Sequence, residues 1–117
     1  MPKHEDEGGR TYWTRIVYVI ELDAKACRDR RSHCDGSCGK IPVYVGQTCH
    51  TAADRFEQHK AGYKASRWPR VYGLRLRPRL AGSFGEMSTV AEAQQAEAEI
   101  ARRLRRRGGR YCVYGGH

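Results

Sequence analysis

A glutamate on an otherwise apolar helix face is the first residue of this chain whose type and position point to chemistry. Five residues share that face on a 3.6-residue period: Val90, Ala93, Glu97, Ile100 and Leu104. Four residues after Glu97 stands Ala101, so the next turn carries no basic partner for the carboxylate. A carboxylate in apolar surroundings must be paired, protonated or bound to a metal ion. Glu97 is therefore either an edge residue that reaches water or an arginine, or a ligand of a hard divalent cation.

An earlier segment presents an arginine and a histidine on one helix face. Arg55 and His59 are four residues apart and so project from the same side of a helix. Tyr44 and Tyr18 stand in the two apolar segments that precede it. Arginine can stabilise charge on a phosphate, a glutamate-bound metal can polarise it, and tyrosine or histidine can take a proton from water. Together these residue types suit phosphodiester cleavage, although tyrosines in apolar strands are equally typical of a protein core.

Three stretches predict the β-strands that position these side chains, the first two apolar and the third alternating between apolar residues and arginines. They lie at residues 12–22, 41–46 and 70–79. A long polar connection over 23–40 joins the first two, and an antiparallel hairpin is the simplest arrangement for them. A short strand over 111–114 closes the domain.

Capping residues mark two helices. Thr51, with Asp54 three residues on, begins a helix that ends near Gly62. A similar box at Thr89 begins a longer helix, which ends at the glycines 108–109. The order ββαβα is typical of an α+β fold in which helices pack on a small sheet.

The chain is short and strongly basic. Its 117 residues fit one domain, with residues 1–11 as a flexible N-terminal arm and 12–117 as the folded part. Lys plus Arg number 22 against 13 Asp plus Glu, and the resulting net charge of +9 favours a polyanionic partner. No apolar stretch approaches the roughly 20 residues of a membrane span, and residues 1–7 lack the pattern of a signal peptide. We expect a cytoplasmic protein, nucleoid-associated if prokaryotic, with no membrane partner and no obligate protein partner.

Two groups of arginines could contact nucleic-acid phosphates. One lies on the predicted strand 70–79 and the other at the end of the long helix, and the candidates are Arg75, Arg77, Arg102, Arg103 and Arg106. The alternative for the helical group is a solvated face that complements the helix dipole.

The cysteines could supply a structural zinc site. Cys27, Cys34 and Cys38 lie in the long connection together with His33, and Cys49 follows the second strand. Their spacing lacks the CxxC knuckle of structural zinc sites, so thiols without Zn²⁺ are favoured. A zinc-stapled adaptor domain is the third interpretation of the chain, after the two developed below.

Four segments, in chain order, resemble the motifs of the GIY-YIG nuclease family. Ile16-Val17-Tyr18 resembles the first signature triplet, and Tyr44-Val45-Gly46 resembles the second, with Gly46 at the family's turn glycine. The run from Gly46-Gln47-Thr48 to Arg55 and His59 resembles the segment that follows. Residues 93–97 are similar to the helix that supplies a metal-binding glutamate. The resemblance covers roughly residues 12 to 107.

The resemblance implies a small three-stranded antiparallel β-sheet flanked by α-helices, and a metal-dependent DNA endonuclease. Tyr18 would then orient or deprotonate the attacking water, and Tyr44 would assist it or bind phosphate. Arg55 would stabilise the transition state, His59 would be an acid–base group or a phosphate contact, and Glu97 would hold one Mg²⁺ or Mn²⁺. Cleavage of DNA would be nonspecific or directed by structure. The alternative is a nuclease-like module that has lost catalysis and binds DNA or RNA.

Overall fold

The computed structural model describes residues 3–5, 11–32, 40–62, 66–82, 85–107 and 110–116. Its strands are β1 (Lys3–Glu5), β2 (Thr11–Trp13), β3 (Ile16–Leu22), β4 (Ile41–Thr48), β5 (Gly73–Leu76) and β6 (Tyr111–Gly115). Its α-helices are α1 (Ala52–Ala61), α2 (Arg67–Tyr72) and α3 (Val90–Arg105). Short 3₁₀ helices occupy Ala24–Arg28 and Pro78–Ala81.

The main sheet has four strands in the order β5-β3-β4-β6. β3 pairs antiparallel with β4, with Tyr18 opposite Gly46, and pairs antiparallel with β5 on its other edge. β6 lies parallel to β4, and the pairing runs from Ile41 opposite Tyr111 to Val45 opposite Gly115. β1 and β2 form a separate antiparallel pair.

The fold is α+β, but the expectation of a three-stranded antiparallel sheet is wrong. The closing strand predicted at 111–114 is present, and it adds to the outer edge of β4 in parallel, which makes the sheet four-stranded and mixed. The chain between β4 and β6 includes the three α-helices, which is ample length for a parallel crossover. By pairing with β4, β6 satisfies backbone groups next to the buried residues Val43 and Val45. Residue alternation predicts that a strand exists, but carries no information about its direction.

The prediction of one strand over residues 70–79 is also wrong in part. The segment begins inside α2, and only Gly73–Leu76 is extended. Trp68 of α2 packs on Tyr114 with 4.5 Å between ring centroids, and Tyr72 stacks on Trp68 at 6.1 Å. This aromatic packing against the sheet favours the helix over the weak strand pattern. The strand ends before Pro78, which has no N–H for a ladder.

The two capped helices are confirmed. Thr51 Oγ1 accepts a hydrogen bond from the Asp54 N–H at 3.1 Å, and Thr89 Oγ1 accepts one from the Glu92 N–H at 3.1 Å. α1 ends at Gly62, whose φ of 86° is in the left-handed region. Within the described ranges, no helix is both long and apolar enough to cross a membrane.

The helices cover opposite faces of the sheet. α3 packs on β3, β4 and β6, whereas α1 and α2 pack on β3 and β5. Alternation along β3 sends Val17 and Val19 into the core under α3, and sends Tyr18 and Ile20 into the core under α1 and α2. Any site that uses residues from both cores must therefore lie where a strand edge is open.

Candidate active site

Four of the five predicted catalytic residues line one cleft of about 490 Å³. Its lining consists of Tyr18, Tyr44, Gly46, Gln47, Arg55, Gln94 and Glu97. The cleft lies at the end of β4, beyond Val45, where the pairing with β6 has stopped. At this open edge the tyrosines from one face of the sheet meet Glu97 from the helix on the other face. Four elements, β3, β4, α1 and α3, thus contribute to one site.

Gly46 makes room for the Tyr18 hydroxyl. A Cβ built on Gly46 would lie 2.5 Å from Tyr18 Oη and 3.1 Å from Tyr44 Cε2. The sequence suggests a turn at this glycine or a close approach to its backbone. The structure shows the close approach, because Gly46 lies within β4. A residue with a side chain at this position would displace Tyr18 from the cleft.

His59, the fifth predicted residue, lies behind Tyr18. Its Nε2 is 2.7 Å from Tyr18 Oη, and the two side chains are 1% and 3% exposed. Burial, with a smaller effect from the Arg55 charge, lowers the pKa of His59 to about 4. The imidazole is therefore neutral at pH 7 and has one lone pair that can accept a proton. Its Nδ1 is buried and has no hydrogen-bond partner among the described residues.

Both cleft tyrosines are protonated at neutral pH. Burial, followed by the nearby Tyr44 phenol, raises the pKa of Tyr18, and this outweighs the opposing effect of the Arg55 guanidinium. Burial likewise raises the pKa of Tyr44. Tyr18 is thus not a phenolate base in the resting protein. It can take a proton from water only if its own proton moves on, and His59 Nε2 is within hydrogen-bond distance to receive it.

Glu97 is buried on the apolar helix face where its spacing places it. It is 8% exposed, and Ala93, Ile100 and Leu104 on the same face of α3 are buried with it. Val90, the first member of the predicted stripe, is 45% exposed because it begins the helix at the rim of the core.

Gln47 and Gln94 are the cleft residues to which the sequence assigned no functional role, and Gln47 is the one with an unsatisfied polar atom. Its Oε1 is buried and has no hydrogen-bond partner among the described residues. Carboxylate and amide oxygens are ligands that Mg²⁺ and Mn²⁺ accept, so Glu97 and Gln47 together fit a hard divalent ion. No cluster of three His, Cys, Asp or Glu side chains suited to a metal occurs in the described ranges. The sequence does contain a feature that could have identified Gln47: it is a polar residue at the next position on the strand face that carries Val43 and Val45.

The arginines predicted to contact nucleic acid lie on two elements, β5 with the residue that follows it, and the C-terminal end of α3. Glu21 pairs with Arg77 at 2.7 Å and with Arg75 at 3.9 Å, at the edge of the sheet formed by β5. The other group lies at the C-terminal end of α3, where Glu99 pairs with Arg102 and Arg103, as their helical spacing suggests. Arg106 follows them, is exposed, and has no ion-pair partner among the described residues.

The predicted zinc ligands are only partly described. Cys34, Cys38 and His33 lie outside the described residues. Cys27 is buried in the core under α1 and α2, and Cys49 is half-buried after β4. The zinc interpretation therefore stays a prediction.

Comparison of the chain with models of known protein families, with curated proteins and with solved structures finds no match. Its function is therefore inferred from the chemistry of the cleft and from the motif segments in its sequence.

Proposed function

We propose that this protein is a metal-dependent DNA endonuclease of the GIY-YIG type, with nonspecific or structure-directed action. One observation supports the proposal most strongly: one cleft brings together Tyr18, Tyr44, Arg55 and Glu97. His59 is hydrogen-bonded to Tyr18 behind it. These residues come from elements far apart in the chain, and they are the same five that the motif segments single out. Five residues chosen at random along the chain would not be expected to meet at one cleft.

Glu97 and Gln47 would hold the divalent ion. A nearly buried carboxylate and an unsatisfied buried amide oxygen both gain from a cation beside them. When bound, Mg²⁺ or Mn²⁺ supplies Lewis-acid stabilisation of the charge that develops on the phosphate. Arg55 adds a second positive group, and its Nη1 donates to Gln58 Oε1 at 3.0 Å, which orients the guanidinium.

Tyr18 and His59 would carry the proton released by the attacking water. Tyr18 Oη accepts that proton as its own passes to His59 Nε2, so no free phenolate is needed. The neutral state of His59 at pH 7 leaves it able to receive the proton. Tyr44 remains protonated and donates a hydrogen bond to a phosphate oxygen.

Nicking of supercoiled plasmid tests the proposal. Wild-type protein should nick DNA at low salt with Mg²⁺ or Mn²⁺ and stop when EDTA is added. Glu97→Ala should abolish cleavage. Glu99→Ala is the control: it removes a carboxylate of the same helix that pairs with arginines, and this variant should cut normally. Tyr18→Phe should lower the rate by about 100-fold or more. Tyr111→Phe, a buried tyrosine of β6, is its matched control.

Two results would contradict the endonuclease. If wild-type protein cuts DNA with neither Mg²⁺ nor Mn²⁺, the proposed activity is refuted. If Glu97→Ala cuts at the normal rate, the assignment of Glu97 as a metal ligand is refuted. Equal losses in Tyr18→Phe and Tyr111→Phe would indicate general destabilisation in place of a lost proton path.

A DNA- or RNA-binding module without catalysis is the second candidate. The exposed arginines at the C-terminal end of α3, Arg105, Arg106 and Arg107, favour it because they could contact phosphates without using the cleft. Salt-sensitive retention of DNA in a gel shift, together with no cleavage, would favour this candidate over the enzyme.

A further inference from the structure

A second pocket of about 270 Å³ adjoins the cleft. Gln47 and Arg55 line both spaces, so the two share a wall. The rest of the second pocket is formed by Arg15, by Gln58 and by residues 48–50 at the end of β4. Apart from the two shared residues and Gln58, which orients Arg55, no residue named in this lining has a role in the proposed chemistry.

Among the described residues, the lining of the second pocket contains two arginines and no carboxylate. Arg15 makes no ion pair with any described residue, so its charge is not neutralised there. Two arginines that line one concave surface give it a positive potential, which favours an anionic ligand. Guanidinium groups donate in a planar fork that matches the oxygens of a phosphate. The pocket therefore suits a phosphate group.

Hydrogen bonds hold the walls of the second pocket. The Arg15 N–H donates to the Met87 carbonyl oxygen at 2.7 Å, and the Met87 N–H donates to the Arg15 carbonyl oxygen at 2.8 Å. The His50 N–H donates to Thr48 Oγ1 at 3.0 Å and shapes the loop between β4 and α1. Walls that are already ordered lose less entropy when an anion binds.

We infer that this second pocket is a phosphate subsite, which holds the phosphate adjacent to the scissile one on the same DNA strand. The inference rests on the proposed function, because the scissile phosphate is taken to occupy the cleft. Arg55, at the shared wall, contacts both phosphates, and Arg15 contacts the adjacent one. Because phosphate contacts carry no base information, the subsite positions a strand without selecting its sequence.

Binding of two short thymidine ligands in EDTA tests the subsite. The dinucleotide TpT has one phosphodiester and the trinucleotide TpTpT has two. Wild-type protein should bind TpTpT about tenfold more tightly than TpT, since a charged hydrogen-bonded contact is added. Arg15→Ala should bring that ratio to about one, and Arg15→Lys should retain part of it. Lys25→Ala, which removes an exposed charge outside both pockets, should keep the wild-type ratio. Chemical-shift titration gives the affinities and shows whether each variant is folded.

The outcomes separate the subsite from the endonuclease, because EDTA prevents turnover. A ratio near one in the wild type, or an unchanged ratio in Arg15→Ala, overturns the subsite even if the protein nicks plasmid with Mg²⁺. A ratio that depends on Arg15, in a protein that cuts no DNA, supports the subsite and overturns the endonuclease.

Discussion

Replacing Gly46 by alanine should disrupt the cleft without removing any of its functional groups. The added Cβ would lie 2.5 Å from Tyr18 Oη and 2.6 Å from Tyr18 Cζ. To reach the 3.4 Å at which ordinary contact begins, the phenol oxygen must retreat by about 0.9 Å. Tyr18 is 3% exposed, so it has little free space to enter. A shift of this size would also stretch its 2.7 Å hydrogen bond to His59.

The cost of this substitution can be estimated from these contacts. Overpacking a buried site costs about 1–3 kcal/mol, and a weakened hydrogen bond adds about 1 kcal/mol. Alanine lowers the backbone entropy of the unfolded chain, which stabilises the folded state by about 0.4–1 kcal/mol. We expect Gly46→Ala to lower the free energy of unfolding by about 2 kcal/mol, which lowers Tm by about 8 °C. Displacing Tyr18 should lower the nicking rate by about 100-fold, measured well below the new Tm.

Gly62→Ala is the matched control for Gly46→Ala. Its φ of 86° makes alanine strained, at about 1 kcal/mol, but the nearest atom to the new Cβ is Arg70 Cδ at 3.8 Å. This variant should lose stability and keep its nicking rate. Gly46→Ala with wild-type Tm and wild-type nicking would refute the claim that Gly46 sets the position of Tyr18. Equal losses of activity in both variants would refute the claim that the effect acts through the cleft.

The remaining predictions concern pH and salt. The folded protein keeps His59 neutral down to about pH 4, whereas the unfolded chain takes up that proton near the ordinary pKa of 6.5. The free energy of unfolding should therefore fall by about 3 kcal/mol as pH falls from 6.5 to 4, and urea unfolding of His59→Gln should lack this part of the decline; a variant that follows the wild-type pH curve would contradict the assignment. For DNA binding, Arg106→Ala should reduce the slope of log affinity against log salt by about 0.9, while Arg102→Ala should change it less because Arg102 is paired with Glu99. Equal slopes for the two variants would show that the ion pair does not shield Arg102.

Two of the three described α-helices, α1 and α3, were predictable because their signals are local, whereas α2 was not predicted. The cap at Thr51 and the cap at Thr89 each depend on residues three positions apart, and both helices begin where those boxes place them. Helical periodicity placed Glu97 on the apolar face of α3 and left open whether it reaches water; the structure shows that it is buried. The strand expected over 70–79 failed because the packing of Trp68 on Tyr114 joins residues distant in the chain, which no local pattern reports.

By itself, the sequence determined where α1 and α3 begin, the apolar helix face on which Glu97 lies and the helix face that Arg55 shares with His59. Each of these depends on backbone hydrogen bonds and on side-chain spacing within a few turns. Only the tertiary structure decided that β6 runs parallel to β4 and stops at Gly115, which leaves an open edge beside Gly46. That edge brings the Tyr18 side of the sheet next to Glu97 and Gln47, because residues on opposite faces of a sheet can meet only where a neighbouring strand is missing.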